Sequence, residues 1–410
     1  MLAPLEQSVR AAFEATFGPA PGILARAPGR VELLGNHTDY NGGLVLAVAI
    51  DRFTVVVGRP DSSRMGRVRS ANFEAIEAFD LDELGPCEPG SWGRYVRGVA
   101  WALREAYGPP ETGFEAVITG DVPLGAGLSS SASLQAAVAL FLLRAGVVEG
   151  GASADLDDAG RMGLAHLLRR GENEFVGVQS GLLDQFTALF GRAGHALILD
   201  CRSLEWERLP LGDPAPAIVV CDSKTSRRLA DGQYNRRRIE CERVVHEFQA
   251  RRGAEAVRRL SDITLDELDA AWDDLDPVGR IRARHVLTEN ERVRQGAEAL
   301  RAGDLPEFGH LMSRSHASSR DDFGNSAPPL DALIEAAEDA PGFLGGKLSG
   351  AGWAGCTVNL VDPGQADAFA AAVAAGSERR TGIRPEIYVC RAADGAFARP
   401  LDTNSHHPAG

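Results

Sequence analysis

The run Pro123-Leu124-Gly125-Ala126-Gly127-Leu128-Ser129-Ser130-Ser131 stands directly before a long apolar stretch. Gly125 and Gly127 permit backbone angles that most side chains resist, and three serines follow where a helix would begin. Such a loop aims several N–H groups and a positive helix end at one point, which suits a phosphate. The same residues also make an ordinary glycine turn with a serine-capped helix. No Gly-Lys-Ser/Thr follows, so the loop is not of the Walker type. A second cluster, Asn36, His37, Asp39 and Asn41, could clasp a polyhydroxylated ligand or form a polar turn around Asn41-Gly42. Arg30, after Ala-Pro-Gly, matters only if the fold carries it to the phosphate loop. Asp184, in the apolar setting Leu182-Leu183-Asp184-Gln185-Phe186, is either a helix cap or a half-buried functional carboxylate. Glu172 and Glu174 precede it on a helix, where charged side chains ordinarily face water.

These residues need elements to hold them. An amphipathic pattern predicts a helix over 5–17, and β-rich runs at Ile23–Ala27 and Leu44–Gly58 flank the polar cluster. A strand-like stretch leads to a helix from Trp92 to Tyr107, then a strand near Phe114–Ile118 enters the glycine-serine loop. Two helices broken near Gly177–Gly181 carry Glu172 and Asp184. A hairpin at 195–211, a strand at Ala217–Ser223 and a long helix over Tyr234–Ala250 follow. A helix-rich block runs to about Ala340, and a second glycine-rich loop at 342–361 runs into a strand. A helix (Gln365–Ser377) and a strand (Glu386–Arg391) complete the pattern, and the polar tail 402–410 is expected to be disordered.

With 410 residues the chain can bury a large core in two or three closely packed domains. A formal net charge of -14 argues against non-specific binding to nucleic acid or an anionic membrane. An anionic substrate would therefore need a local positive site. The densest basic run, Arg236-Arg237-Arg238, reads as a solvated helix face. Cys87, Cys201, Cys221, Cys241, Cys356 and Cys390 are scattered singly, as reduced thiols in a cytoplasmic protein would be. No secretory leader or 18-residue apolar run is evident.

Three stretches in order, APGRVELLGNHTDYNGG, PLGAGLSSSAS and GKLSGAGWAGC, resemble the GHMP superfamily of small-molecule kinases. GENEFVGVQSGLLDQF, HALILDCRSLEW, RRLADGQYNRRRIECE, RHVLTENERV, LMSRSHASSRDD and PEIYVCRAADGA narrow the resemblance to the galactokinase family, from about residue 20 to residue 397. The resemblance implies an α+β fold of two domains. The N-terminal domain (1–205) would be like ribosomal protein S5 domain 2, and the C-terminal GHMP kinase domain (206–400) ferredoxin-like. ATP and a sugar would meet between them. It implies catalytic roles for Arg30 and Asp184, with Asp184 taking or orienting the proton of the sugar 1-hydroxyl and Arg30 stabilising charge on the phosphoryl group. Pro123 to Ser131 would cradle phosphate, Trp92 would lie near the adenine, and Ser131 and Glu172 would hold Mg²⁺. Asn36, His37, Asp39 and Tyr234 fall at sugar-contacting positions. The family carries glutamate at the Asn36 position, associated with the sugar's 6-hydroxyl, so the sugar (galactose, a galactosamine derivative or a pentose) stays open. Gln135 and Ala354 also depart from the family pattern, in place of glutamate and glycine. The implied partners are small molecules, with the chain a monomer or homodimer. A sensor that binds without transferring is disfavoured by the intact Ser131-Ala132 pair beside Arg30 and Asp184.

Overall fold

The computed structural model describes residues 4–85, 91–148, 154–225 and 232–401. Cys87 and the polar tail 402–410 lie outside the described residues. Helix α1 (Pro4–Phe17) places Val9 and Phe13 one turn apart, and both bury against a sheet. Strands β1 (Ile23–Leu34) and β2 (Leu44–Asp61) pair antiparallel, with a register shift at Pro28/Gly29, where proline cannot donate to the ladder. Both run beyond their expected limits, because tertiary pairing extends them through polar residues. Next come β3 (Met65–Ser70), β4 (Ala75–Asp80), α2 (Gly93–Tyr107) and β5 (Gly113–Gly120). Helices α3 (Ser130–Arg144) and α4 (Asp158–Arg170) lead through a π-helical turn (Gly171–Val176) to α5 (Leu183–Phe190). The hairpin is β6 (His195–Asp200) and β7 (Trp206–Pro210).

The second half contains β8 (Ala217–Asp222), α6 (Gln233–Arg252), α7 (Leu265–Ala270), α8 (Gly279–Ala302), α9 (Leu305–Ser318) and α10 (Pro328–Glu338). It ends with β9 (Phe343–Leu348), β10 (Cys356–Val361), α11 (Ala366–Thr381), β11 (Glu386–Cys390) and β12 (Phe397–Pro400). Two sheets result. The first runs β12-β1-β2-β5-β3-β4, with β6 and β7 added through β2, and the second runs β11-β8-β10-β9. All pairings are antiparallel except β3 with β5. The expected boundary near residue 205 falls inside the β6–β7 hairpin, and β12 returns to the first sheet beside β1.

Alternation along β8 explains how the second sheet is covered on both faces. Ala217, Val219 and Cys221 face α10 and α11, where they meet Leu333 and Phe369. Ile218 and Val220 face the opposite way, into a core containing Phe308 and Met312 of α9, Val293 and Leu300 of α8, and Val31 and Leu33 of β1. That core joins the sheets, so α8 and α9 lie against the backs of the residues that form the site. The basic run on α6 divides: Arg236 is exposed, but Arg237 is buried, donating to Glu240 and to the carbonyls of Phe323 and Gly324. The expected solvated face therefore fails at Arg237, because the helix turns that guanidinium toward unpaired carbonyls. Cys201, Cys221, Cys241 and Cys390 are free thiols.

Candidate functional site at the serine loop and the polar loop

The glycine-serine loop joins β5 to α3. Gly125 and Gly127 adopt left-handed φ of 73° and 80°, the conformation that glycine tolerates best. Ser129 is also left-handed, at φ 56°, yet neither it nor its neighbours cap α3 with a side chain. Its hydroxyl donates instead to Asp184 Oδ2 at 2.5 Å. The left-handed backbone of Ser129 departs from the extended conformation that a capping serine adopts, which is why the expected serine cap is absent.

Asp184 lies in the first turn of α5, two residues too far along to be its cap, and its side chain is 27% exposed. Nε and Nη2 of Arg30 reach its Oδ1 at 2.7 and 2.5 Å. Nη1 of Arg30 donates to the Gly127 carbonyl at 2.7 Å, and the Arg30 N–H donates to the Leu128 carbonyl at 3.1 Å. The fold thus does carry Arg30 to the glycine-serine loop. Gly29 permits this contact, since a Cβ there would lie 2.9 Å from the Leu128 oxygen.

A cavity of about 430 Å³ opens beside this pair. Arg30, Glu32, Asn36, His37, Asp39, Asp184 and Tyr234 line it, with Gly181 and the backbone of Gly350–Gly352. Burial pushes the Asp39 carboxyl up to about 6, and the charges of Glu32 and Asp184 add to the effect. A Cβ on Gly181 would run into the Asp39 carboxylate, so glycine there keeps that oxygen accessible. His37 is buried and left-handed at φ 62°. Its Nε2 meets the Ala351 carbonyl at 3.0 Å, which makes that nitrogen the donor and Nδ1 the acceptor for the Tyr40 hydroxyl at 2.9 Å. Burial pushes its pKa down to about 3, so the ring is neutral. Its ring packs 4.5 Å from Phe323 and 5.5 Å from Tyr234. Burial likewise raises the Tyr234 phenol, which is therefore a neutral hydrogen-bonding group.

A second cavity, about 380 Å³, lies across the serine loop. Trp92, Phe73, Asn72, Arg94, Ser130 and Ser131 are among its lining residues. The Phe73 and Trp92 rings are 6.5 Å apart and 21° from parallel. Ser130 and Ser131 thus face one cavity while Ser129 holds the carboxylate of the other. Pro123, Leu124, Ala126 and Leu128 fill out the loop, with Leu124 60% exposed at the cavity rim and Leu128 buried under Arg30.

Glu172 is buried, contrary to the water-facing alternative, whereas Glu174 is exposed and paired with Arg170. The π-helical turn rotates Glu172 inward, where Oε2 accepts from Ser180 at 2.7 Å and from Gln185 at 2.6 Å. Burial raises its pKa, and the charge of Asp184 adds to this.

Three groups that reading the motifs did not single out also belong here. Glu32 lies two residues from Arg30 on the same face of β1, a signal that strand alternation could have supplied. Lys347, fully buried on β9, donates to Glu32 at 2.8 Å. Glu289 of α8 accepts from the N–H groups of Gly35 and Asn36 and so fixes the polar loop from behind. No local sequence signal marks that last contact.

Comparison with known proteins identifies the family. Residues 11–60 match a family model described as the galactokinase galactose-binding signature. Residues 94–192 match the GHMP kinase N-terminal domain and 297–378 the GHMP kinase C-terminal one. Galactokinases of Roseiflexus sp. (strain RS-1) and Homo sapiens are 44% and 40% identical, over 94% and 96% of this chain and 95% and 97% of theirs. The crystal structure of Lactococcus lactis galactokinase complexed with galactose matches with a TM-score of 0.88 at 33% identity, covering 96% of this chain and 99% of that one. A mevalonate kinase structure at 17% identity and TM-score 0.61 shares the fold alone. By its two-domain α+β fold, its motifs and these relatives, the chain belongs to the galactokinase family of the GHMP kinases and is a sugar kinase.

Proposed function

We propose that this enzyme transfers the γ-phosphoryl group of ATP, with Mg²⁺, to the anomeric 1-hydroxyl of galactose, giving galactose 1-phosphate and ADP. The observation that carries the proposal is the setting of Asp184: Arg30 and Ser129 fix its carboxylate on the wall of the polar cavity, and Ser130 and Ser131, next along the chain from Ser129, line the second cavity. The sugar would occupy the first cavity, among Asp39, Tyr234 and Glu32. ATP would occupy the second, its adenine near Trp92 and Phe73 and its phosphates along Pro123–Ser131. The 1-hydroxyl oxygen then attacks the γ-phosphorus, the bond to the β–γ bridging oxygen breaks, and the hydroxyl proton passes to Asp184. Arg30, held on both the loop and the carboxylate, stabilises the negative charge that shifts across the transferring group.

The residues present fit a hard cation. Gln185 Oε1 is a buried acceptor without a hydrogen-bond partner, on the side chain that donates to Glu172. Gln135, one turn along α3 from Ser131, likewise has a buried polar atom, Nε2, without a hydrogen-bond partner. Ser131 and Glu172 would hold Mg²⁺, which when bound neutralises phosphate charge. Among the described residues no cluster of three or more His, Cys, Asp or Glu could do so alone, so phosphate oxygens and water would complete the shell. No helix among the described residues is long and apolar enough to cross a membrane, which is compatible with a cytoplasmic monomer or homodimer.

The test is a panel of galactose, galactosamine derivatives and pentoses with ATP and Mg²⁺, following ADP release and identifying products by phosphorus NMR. An anomeric phosphate formed fastest from galactose is the expected outcome. A 6-phosphate would refute the mechanism, preference for another acceptor would reassign the sugar, and ATP hydrolysis without sugar product would point to a sensor.

A further inference from the structure

Asn36 and Glu32 both border the sugar cavity, but their hydrogen-bonding capacities differ. Asn36 is only 1% exposed. Its Nδ2 donates to Glu32 Oε1 at 3.3 Å and to the Gly350 carbonyl at 2.9 Å. Its Oδ1 accepts from Asn325 at 2.8 Å and from Ser319 at 3.3 Å. An amide has two donors and two acceptor positions, so Asn36 is fully engaged and can bind a ligand only by giving up one of these bonds.

Glu32 is different. Its side chain is 9% exposed, and Lys347, itself fully buried, pairs with Oε1 at 2.8 Å. Asn36 donates to that same oxygen. No protein donor among the described residues reaches Oε2, although the residue lines the cavity. With no protein donor, Oε2 is left facing the cavity and its water, and a sugar hydroxyl can take that water's place with a charge-assisted bond. Position fits as well. Two residues along a strand advance about 6.6 Å, comparable with the separation of hydroxyls on opposite sides of a hexopyranose. With the 1-hydroxyl at the Arg30–Asp184 pair, Glu32 meets the far edge of the ring.

We propose that Glu32 is the specificity-determining carboxylate of this site, accepting a hydrogen bond from the C4 or C6 hydroxyl of the bound sugar through Oε2. The inference rests on the reading of this cavity as the galactose site. Lys347 pairs with Glu32 from behind, and Asn36 acts as its brace.

The experiment compares kcat/KM for galactose and its 2-deoxy, 4-deoxy and 6-deoxy forms in the wild-type enzyme, in Glu32→Gln, and in the charge-balanced pair Glu32→Gln/Lys347→Met. Thermal unfolding checks each variant's fold. The wild type should prefer galactose over its 4-deoxy or its 6-deoxy form by about tenfold or more, as a charge-assisted bond implies. In Glu32→Gln that one preference should shrink several-fold while the 2-deoxy ratio stays constant. Should Glu32→Gln fail to fold because Lys347 is left unpaired, the paired variant gives the same reading. Ratios unchanged in the variants, or changed equally for all three deoxy sugars, would overturn the assignment. A wild-type enzyme that forms no galactose phosphate would instead refute the proposed function, and this inference with it.

Discussion

Glu289 makes the sharpest test of how the interior supports the site. It is fully buried on α8. Oε1 accepts from Gly35 N–H at 2.9 Å, Asn36 N–H at 3.2 Å and the Ser315 hydroxyl at 2.6 Å. Oε2 takes Arg292 Nε at 2.6 Å. Burial opposes its ionisation, but Arg292, His285 and Lys347 hold its pKa down to about 2. In Glu289→Gln the amide oxygen can still serve the loop N–H groups, while its NH₂ must face the Arg292 guanidinium, donor against donor. Breaking one side of a buried ion pair costs about 3–5 kcal/mol. At about 2.1 cal/mol/K of unfolding entropy per residue, a chain of 410 residues that melts as one unit should lose roughly 3–6 °C in Tm. The shared core of the two sheets favours such joint melting. Because the loop bonds survive, sugar KM should change less than about threefold; Glu289→Ala, which removes them too, should raise KM further. Calorimetry and steady-state kinetics read both. Adding Arg292→Met to Glu289→Gln should restore most of the lost Tm. A Glu289→Gln enzyme as stable as the wild type, or a double variant no better than the single one, would refute the reasoning.

Asp184→Asn should keep sugar binding and lower kcat by about 10²–10⁴, toward the smaller figure if positioning and charge dominate phosphoryl transfer; more than half the wild-type rate would remove Asp184 from proton transfer. Glu172→Gln should raise the Mg²⁺ concentration for half-maximal rate and leave sugar KM nearly unchanged, and an unaltered Mg²⁺ dependence would leave Glu172 as a buried brace for Ser180 and Gln185. Stability should also fall with acid. His37 and His285 are pushed down to about 3 and 4, so their contributions are complete above pH 6.5 and lost as pH falls below it, where only the unfolded chain takes up protons. Asp39, pushed up to about 6, takes up its proton first in the folded state and offsets one of these two. The net slope between pH 6 and 4 is then about 1.4 kcal/mol per pH unit. His285→Gln should flatten it and Asp39→Asn should steepen it, and a flat wild-type profile would contradict all three assignments.

The sequence made the loops legible but not their loyalties. Gly125 and Gly127 declare a left-handed turn by themselves, and alternation in β8 gives both covered faces of the second sheet. Strand limits were less legible, since β1 continues through Arg30 and Glu32 only because β2 pairs alongside it. Side-chain partners were least legible. Ser129 holds Asp184, 55 residues on, when a serine at a helix start reads locally as a cap, and Glu289 reaches Gly35 from 254 residues away. Asn36 shows the same limit: spacing marks it as polar and near the site, whereas its availability to a ligand depends on Ser319, Asn325 and Gly350, which meet it only after folding.

These distant partners share a physical logic. Glu32 and the polar loop that follows β1 are held from the second half of the chain: Glu32 by Lys347, the loop backbone by Glu289, His37 by the Ala351 carbonyl and Phe323. In a low-dielectric interior such bonds are directional and costly to break, so the sugar cavity is shaped before any ligand enters. Arg30 and Ser129 hold Asp184 from the other side, through groups of the first sheet and the serine loop alone. Under the proposed function, sugar recognition would therefore depend on the packing of the two halves, whereas the Arg30–Asp184 pair would not. Substitutions in the shared core around Phe308 and Met312 should consequently raise sugar KM before they alter kcat, and the opposite order would show that the Arg30–Asp184 geometry also depends on that packing.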